Sequence, residues 1–427
     1  MNDMIVNDAA YAQKMDEQDS LRHYRDQFYI PMINGEESVY FTGNSLGLQP
    51  KITQEHILNE LEDWANFGVE GHVHARNPWV SYHEQFPSLL KDIVGAKETE
   101  IVVMNQLTVN VHLLFTTFYM PDAKRWKIIC EAKAFPSDQY AIESQVKLHG
   151  LNPAEAIIEV HPRPGEVTIH TEDILSAIAE HGDETALVFF GGVNYYTGQV
   201  FDMKAITAKA HEVGACCGFD LAHAVGNIPL RLHDWDADFA CWCSYKYLNS
   251  GPGSVAGVYI HERFHTSDLP RLAGWWGHDK ASRFAMGPEF SPIPTAEGWQ
   301  LSNAPIFSMA AHKASLEIFR DAGMEALFEK SKLLSKYLLN TLHAINEGLD
   351  QPLLQIITPS AENEHGCQVS LLMLRDGKHI FEALKTAGIL ADWREPDVIR
   401  IAPVPLYNSF YDIYRFGQVL SNMSQHA

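Results

Sequence analysis

The chain has 427 residues, 46% hydrophobic and 11% aromatic, with a formal net charge of −22. That length exceeds one simple core and predicts a large domain joined to a smaller one. The acidic surface excludes nucleic acid and anionic membranes as partners, while a small-molecule site can still be locally basic. No apolar run approaches membrane-spanning length. The first residues, Met1-Asn-Asp-Met-Ile-Val-Asn-Asp8, lack the basic and apolar segments of a secretory leader, so a cytoplasmic protein is expected. The six cysteines show no C-x-x-C spacing and read as buried, reduced thiols.

In chain order, residues 1–27 read as a helical arm. Tyr40-Phe-Thr-Gly-Asn-Ser-Leu-Gly-Leu-Gln-Pro50 reads as a short strand entering a glycine-punctuated loop, and residues 52–67 have helical apolar spacing through Ile52, Ile57, Leu61 and Trp64. His72-Val-His74 is the one pair that hints at a metal, but neither acidic ligands at a suitable spacing nor H-E-x-x-H accompany it, so no metal is expected. Apolar runs at 101–104, 126–130, 186–190, 217–219 and 239–242 lack polar alternation and suit strands buried on both faces. Helical patterns such as 203–213 lie between them, which predicts an α/β fold: a mostly parallel sheet between helices. Beyond Ser308 a long helical pattern leads into a smaller α/β unit, with strands at 369–374 and 398–402 around a helix at 379–387. The expected division is 1–70, an N-terminal arm and a segment packing with the small domain; 71–305, the large domain; and 306–427, the small domain.

The chemistry sits at the ends of these runs. Asn105-Gln-Leu-Thr108 follows the first strand, with Asn105 as the expected N-cap; a helix starting there would aim free amides and the Thr108 hydroxyl at an anion. Phe135-Pro-Ser-Asp138 follows the next strand and offers an aromatic face beside polar groups, or an ordinary proline turn. Asp220 closes the run Ala215-Cys-Cys-Gly-Phe-Asp220. Lys246, in Cys241-Trp-Cys-Ser-Tyr-Lys246, follows another run and precedes the Gly251-Pro252-Gly253 turn. A desolvated lysine is a nucleophilic amine able to form a Schiff base, and an acid closing a nearby strand suits the ring nitrogen of pyridoxal phosphate. The alternative is a snorkelling lysine and a helix-capping aspartate. Arg400, flanked by apolar residues, must face a carboxylate, whether the protein's own or a substrate's.

With these residues in view, the sequence resembles the kynureninase family, pyridoxal-phosphate enzymes of the aspartate-aminotransferase fold group. The carriers are Tyr40 to Pro50 as written above, Asn105-Gln-Leu-Thr-Val-Asn110, Phe135-Pro-Ser-Asp138, Val193-Asn-Tyr-Tyr-Thr-Gly-Gln199, Phe219-Asp-Leu-Ala-His223, Ser244-Tyr-Lys-Tyr247, Leu301-Ser-Asn303 and Ile399-Arg-Ile-Ala-Pro-Val-Pro-Leu-Tyr-Asn408. Together they span residues 40 to about 416 in the family's order.

The resemblance implies fold type I: a large domain with a mostly parallel seven-stranded sheet, plus a smaller C-terminal α/β domain. It implies that Lys246 carries the cofactor, Asp220 pairs with the ring nitrogen and Phe135 stacks on the ring. Pro136, Ser137 and Asp138 would line the cofactor pocket, while Leu107, Thr108, His223 and Tyr245 would hold or neighbour the phosphate. A homodimer would bring Trp275 and Asn303 from the partner subunit, Arg400 would bind the substrate α-carboxylate, and His72, Ser302 and Asn303 would surround its aromatic ring. Gly191 departs from members that place a serine there. The implied reaction is hydrolytic Cβ–Cγ cleavage of L-kynurenine or 3-hydroxy-L-kynurenine to L-alanine and the anthranilate, in tryptophan catabolism or NAD biosynthesis. The competing reading is a cysteine desulfurase or aminotransferase on the same scaffold, for which Cys367 is the candidate nucleophile; a catalytically inactive scaffold protein conflicts with Lys246, Asp220 and Arg400 standing together.

Overall fold

The computed structural model describes residues 8–424. Its central sheet holds β1 (Ile101–Val103), β2 (Lys127–Glu131), β3 (Ile157–Val160), β4 (Thr185–Gly191), β5 (Cys216–Asp220), β6 (Phe239–Trp242) and β7 (Gly257–Ile260), in the order β1-β7-β6-β5-β4-β2-β3. Only β7 runs antiparallel to its neighbours. The mostly parallel sheet follows from the unbroken apolar runs, and every residue of β6 is buried.

Two strands of this sheet escaped the sequence reading, for different reasons. β3 lies at the sheet edge and is only partly buried, so its apolar pattern is interrupted. β7 begins at Gly257, which reads as a breaker; here a Cβ would collide with the Trp242 indole, so the glycine lets two central strands approach.

The helices that matter for the site are α1 (Ala9–Gln18), α2 (Thr53–Phe67), α3 (Leu107–Phe118), α4 (Pro136–Leu148), α5 (Met203–Val213), α6 (Ile306–Ala322), α7 (Met324–Glu347), α8 (Gly377–Thr386) and α9 (Phe410–Ser424). The small sheet is antiparallel, with β8 (Leu354–Ile356), β9 (Val369–Met373), β10 (Asp392–Arg394) and β11 (Val398–Ile401) in the order β8-β9-β11-β10. Its core joins Leu338, Leu342, Ile399 and Phe416 to Ala12, Val39 and Phe41 from the beginning of the chain. Asp16 of α1 accepts the Phe410 and Tyr411 amides at 2.7 and 3.0 Å, capping α9. The N-terminal segment is thus held against the small sheet; residues 1–7 of the expected arm lie outside the described residues.

The α2 helix forms where its periodicity indicates, yet its apolar stripe faces outward. Leu58, Leu61, Trp64 and Phe67 are exposed, while Thr53, Glu60 and Asp63 are buried. The inversion has a polar cause: Glu60 accepts Trp79 Nε1 at 2.9 Å and Asp63 accepts the Arg76 amide at 2.7 Å.

Within α6, His312 is fully buried, stacked on Phe86 with its Nδ1 2.5 Å from Ser250 Oγ. Burial drives its imidazole from 6.5 down to about 3. Below pH 6.5 the unfolded chain therefore takes up a proton that the folded chain refuses, so this contribution is complete above that pH and is lost as pH falls toward 3. Between pH 7 and 5 it removes about 2 kcal/mol. Urea unfolding at both pH values checks this: the stability gap between wild type and His312→Gln should narrow by that amount on acidification, and a constant gap would refute it.

Candidate active site

The carboxyl ends of the parallel strands converge on one cavity, the usual ligand position in an open α/β sheet. Glu131 ends β2, Gly191 ends β4 and Asp220 ends β5. Lys246 lies four residues beyond β6, in a loop closed by Asn249, Gly251 and Gly253, all at positive φ. The glycine-rich segment after Tyr40 packs on this loop: the Gly47 amide donates to the Tyr245 carbonyl at 2.8 Å, and a Cβ at Gly47 would strike the Lys246 carbonyl.

Lys246 Nζ is 2.9 Å from His223 Nε2 and 5.9 Å from the Phe135 ring centroid. Burial, then the charges of Lys246 and Arg400, hold His223 well below the ordinary histidine value. It stays neutral, and its Nε2 accepts from the lysine. Burial likewise pushes the Tyr245 phenol up, so it keeps its proton.

Asp138 and Asp220 form a tightly coupled buried pair. Burial raises both, and the mutual repulsion raises Asp138 further. Asp220 accepts the Ala222 amide at 2.7 Å and feels Lys246, which favours its ionised form. The pair therefore divides into an ionised Asp220 and a proton-holding Asp138.

The expected cap at Asn105 is corrected. Asn105 sits at φ 51°, its Nδ2 donates to Asn110 Oδ1 at 3.0 Å, and α3 starts at Leu107 behind Gln106, which makes no side-chain cap. The early α3 amides consequently stay free, whereas at the start of α4 Pro136 has no N–H and the Asp138 amide donates to the Phe135 carbonyl at 2.9 Å. Thr108 Oγ1 and Ser137 Oγ lie 2.7 Å apart and join the two helix starts, while Pro136 sets the first turn of α4. Leu107, Thr108, Phe135, Ser137, Asp138, Asp220, His223, Tyr245 and Lys246 all line this single cavity.

Arg400 is fully buried in β11. Its Nη2 pairs with Asp392, its partner across the strand register, and its Nη1 donates to the Tyr195 carbonyl at 2.6 Å. Arg400 thus faces one of the protein's own acids, with Tyr195 between it and the cavity. His72, Trp275, Ser302 and Asn303 do not line the cavity in the single chain; Ser302 and Asn303 are exposed, and Trp275 is 42% exposed.

Sequence reasoning missed Glu131. It is buried on the cavity wall, accepts the Gly191 amide at 3.1 Å and Asn194 Nδ2 at 2.8 Å, and burial pushes its carboxyl up to about 7. Its signal was the same as that of Asp220, an acid closing an apolar run. Cys367, by contrast, is 1% exposed, and burial pushes its thiol up to about 12, which removes the thiolate a desulfurase would need.

The family of kynureninase C-terminal domains matches residues 327–420. A kynureninase from Christiangramia forsetii is 53% identical over 97% of this chain and 97% of that protein. Kynureninases from Mus musculus and Homo sapiens are each 48% identical, over 97% and 98% of this chain and 93% and 94% of theirs. Among solved structures, a C-DES variant with glycine covalently linked to its PLP cofactor superposes with TM-score 0.75 at 16% identity, covering 90% of this chain and 96% of that one. A cysteine desulfurase from Escherichia coli gives 0.75 at 14%, covering 95% and 98%. At such identity these two speak for the fold alone, fold type I. The full-length relatives speak for more: the chain belongs to the kynureninase family.

Proposed function

We propose that the chain hydrolyses the Cβ–Cγ bond of L-kynurenine or 3-hydroxy-L-kynurenine, giving L-alanine and anthranilate or 3-hydroxyanthranilate, with pyridoxal phosphate as cofactor. The observation that carries this is one cavity holding a primary amine, a buried carboxylate and an uncapped helix start, in a chain 53% identical to a kynureninase.

The cavity fits the cofactor on its own chemistry. The free α3 amides with Thr108 and Ser137 suit a phosphate, Asp220 suits a ring nitrogen, and Phe135 suits a flat ring. When bound, the cofactor supplies an aldehyde for the amine and a ring that stores an electron pair. The chain supplies the rest. Arg400 binds the substrate α-carboxylate. Lys246 Nζ takes the proton from Cα. Asp220 holds a proton on the ring nitrogen, and Asp138 keeps its own. Water adds to the γ-carbonyl, the Cβ–Cγ bond breaks with its electron pair on Cβ, and the Tyr245 hydroxyl delivers a proton there.

A homodimer completes the site in this reading. The outward stripe of α2 supports it: Trp64 is 57% exposed and its ring lies 6.0 Å from that of Phe307, itself exposed, so apolar side chains of two helices face outward side by side. Across that interface Trp275 and Asn303 reach the partner's cofactor, and His72, Ser302 and Asn303 surround the substrate ring. The separate core around the small sheet supports a smaller C-terminal unit, while Met309, Leu316 and Phe319 of α6 pack in the core of the large sheet. Among the described residues no helix is long and apolar enough to cross a membrane, and we place the enzyme in the cytoplasm, in the kynurenine pathway.

Product analysis tests the function: L-alanine and the anthranilate must appear in equal amounts from the loaded enzyme. The 3-hydroxy substrate is expected to be better by about tenfold in kcat/KM, since polar groups placed for a hydroxyl are left unpaired without it. Asn303→Leu should narrow that ratio. Equal values in wild type would remove the argument for discrimination, and an unchanged ratio in the variant would clear Asn303.

A further inference from the structure

We infer that Glu131 is a positioning residue for Arg400, acting through Asn194 and the turn at 194–198; the inference rests on the reading of Arg400 as the partner of the substrate α-carboxylate. The carboxylate of Glu131 faces the cofactor cavity and accepts Asn194 Nδ2 at 2.8 Å. Asn194 spends its other atom, Oδ1, on the turn itself, accepting the Tyr196 and Thr197 amides at 3.0 and 2.9 Å and Thr197 Oγ1 at 3.1 Å. That turn is where the small sheet docks. The Tyr195 carbonyl accepts from Arg400 Nη1 at 2.6 Å and from Gln368 Nε2 at 3.1 Å, and the Thr197 carbonyl accepts from Thr358 Oγ1.

The room for Glu131 comes from Gly191. A Cβ at that position would stand 2.7 Å from Glu131 Oε1, and the bare amide instead donates to that oxygen at 3.1 Å. The carboxylate is therefore held from both sides, by the strand end and by the turn. With Asp392 fixing Nη2, the Tyr195 carbonyl is the second support that sets the plane of the Arg400 guanidinium. A planar fork binds a carboxylate through two parallel bonds only when its plane is set. The chain Glu131, Asn194, Tyr195, Arg400 thus ties the wall of the cofactor cavity to the carboxylate site in the small sheet.

Exchange of donor and acceptor separates this role from ordinary packing. Glu131→Gln keeps one acceptor for two donors, Asn194 Nδ2 and the Gly191 amide, and so breaks one of the two bonds that hold this side chain; Asn194→Ala breaks the relay without touching the cavity wall. The pair Glu131→Gln with Asn194→Asp restores it, because the amide introduced on β2 can donate to the carboxylate introduced in the turn, which still accepts from the turn amides. L-Alanine, which carries the α-carboxylate, is titrated into each holoenzyme, with anthranilate inhibition and the cofactor Kd as controls. Both single variants should raise the L-alanine Kd and the kynurenine KM about tenfold, with the cofactor Kd and the anthranilate inhibition constant within about twofold of wild type. The exchanged pair should return L-alanine binding to within about threefold. Failure of the pair to recover, or a cofactor Kd that rises while L-alanine binding is unchanged, overturns the relay. Arg400→Lys tells the two readings apart: weakened L-alanine binding there with unaffected Asn194→Ala overturns the relay alone, and unaffected binding in Arg400→Lys overturns both.

Discussion

Lys246→Ala is expected to lower turnover by at least about 10³-fold, the scale of losing a positioned base, and to abolish covalent retention of the cofactor. Lys246 is the single amine among the residues that line the cavity, and His223, its neighbour at 2.9 Å, is an imidazole held neutral by burial. No other side chain there can take over the covalent bond. Borohydride reduction followed by intact-mass measurement reads this directly. Wild type should gain the mass of the reduced cofactor, whereas the variant should not, with circular dichroism showing the same fold. A variant that still carries borohydride-fixed cofactor would place the reactive amine elsewhere and overturn the assignment of the cavity.

The legibility of Lys246 and of Asp220 has a common cause. A charged residue that closes an apolar run must sit where a buried strand meets a cavity, because burying it elsewhere is too costly. The same logic applied to Glu131 was available and was not used, since Glu131 carries no family motif as compact as Ser244-Tyr-Lys-Tyr247. The β7 strand was hidden because Gly257 serves Trp242, a partner on another strand. The apolar spacing of α2 locates the helix but not the face it buries, because Trp79 and Arg76, which turn its acids inward, lie beyond the helix itself. Asn105 looked like a cap by type, yet Asn110, five residues on, takes its side chain. Asp392 and Arg400 meet only through the register of an antiparallel pair, which no local spacing encodes. His72, Trp275, Ser302 and Asn303 stand apart from the cavity of their own chain, and no pattern local to them indicates what they would meet.

Asp220→Asn is expected to leave a folded protein whose kcat falls by about 10² to 10³-fold, because an uncharged side chain no longer holds a proton on the ring nitrogen and the ring stores electrons poorly. The coupled pair makes the comparison with Asp138→Asn informative. Asp138 carries the higher value of the two, driven by burial and then by Asp220, so it already holds its proton and its amide replacement changes the charge of the site little. Asp220 is the ionised member, fixed by the Ala222 amide at 2.7 Å and favoured by Lys246. Removing its charge relieves only the second cause of the raised Asp138 carboxyl; burial, the largest, remains, so Asp138 does not take over the charge. The expected order of kcat is wild type, then Asp138→Asn, then Asp220→Asn by at least a further tenfold. Near-normal kcat in Asp220→Asn would mean that another group holds the ring nitrogen, and an inverted order would move the ionised carboxylate from the end of β5 to the start of α4.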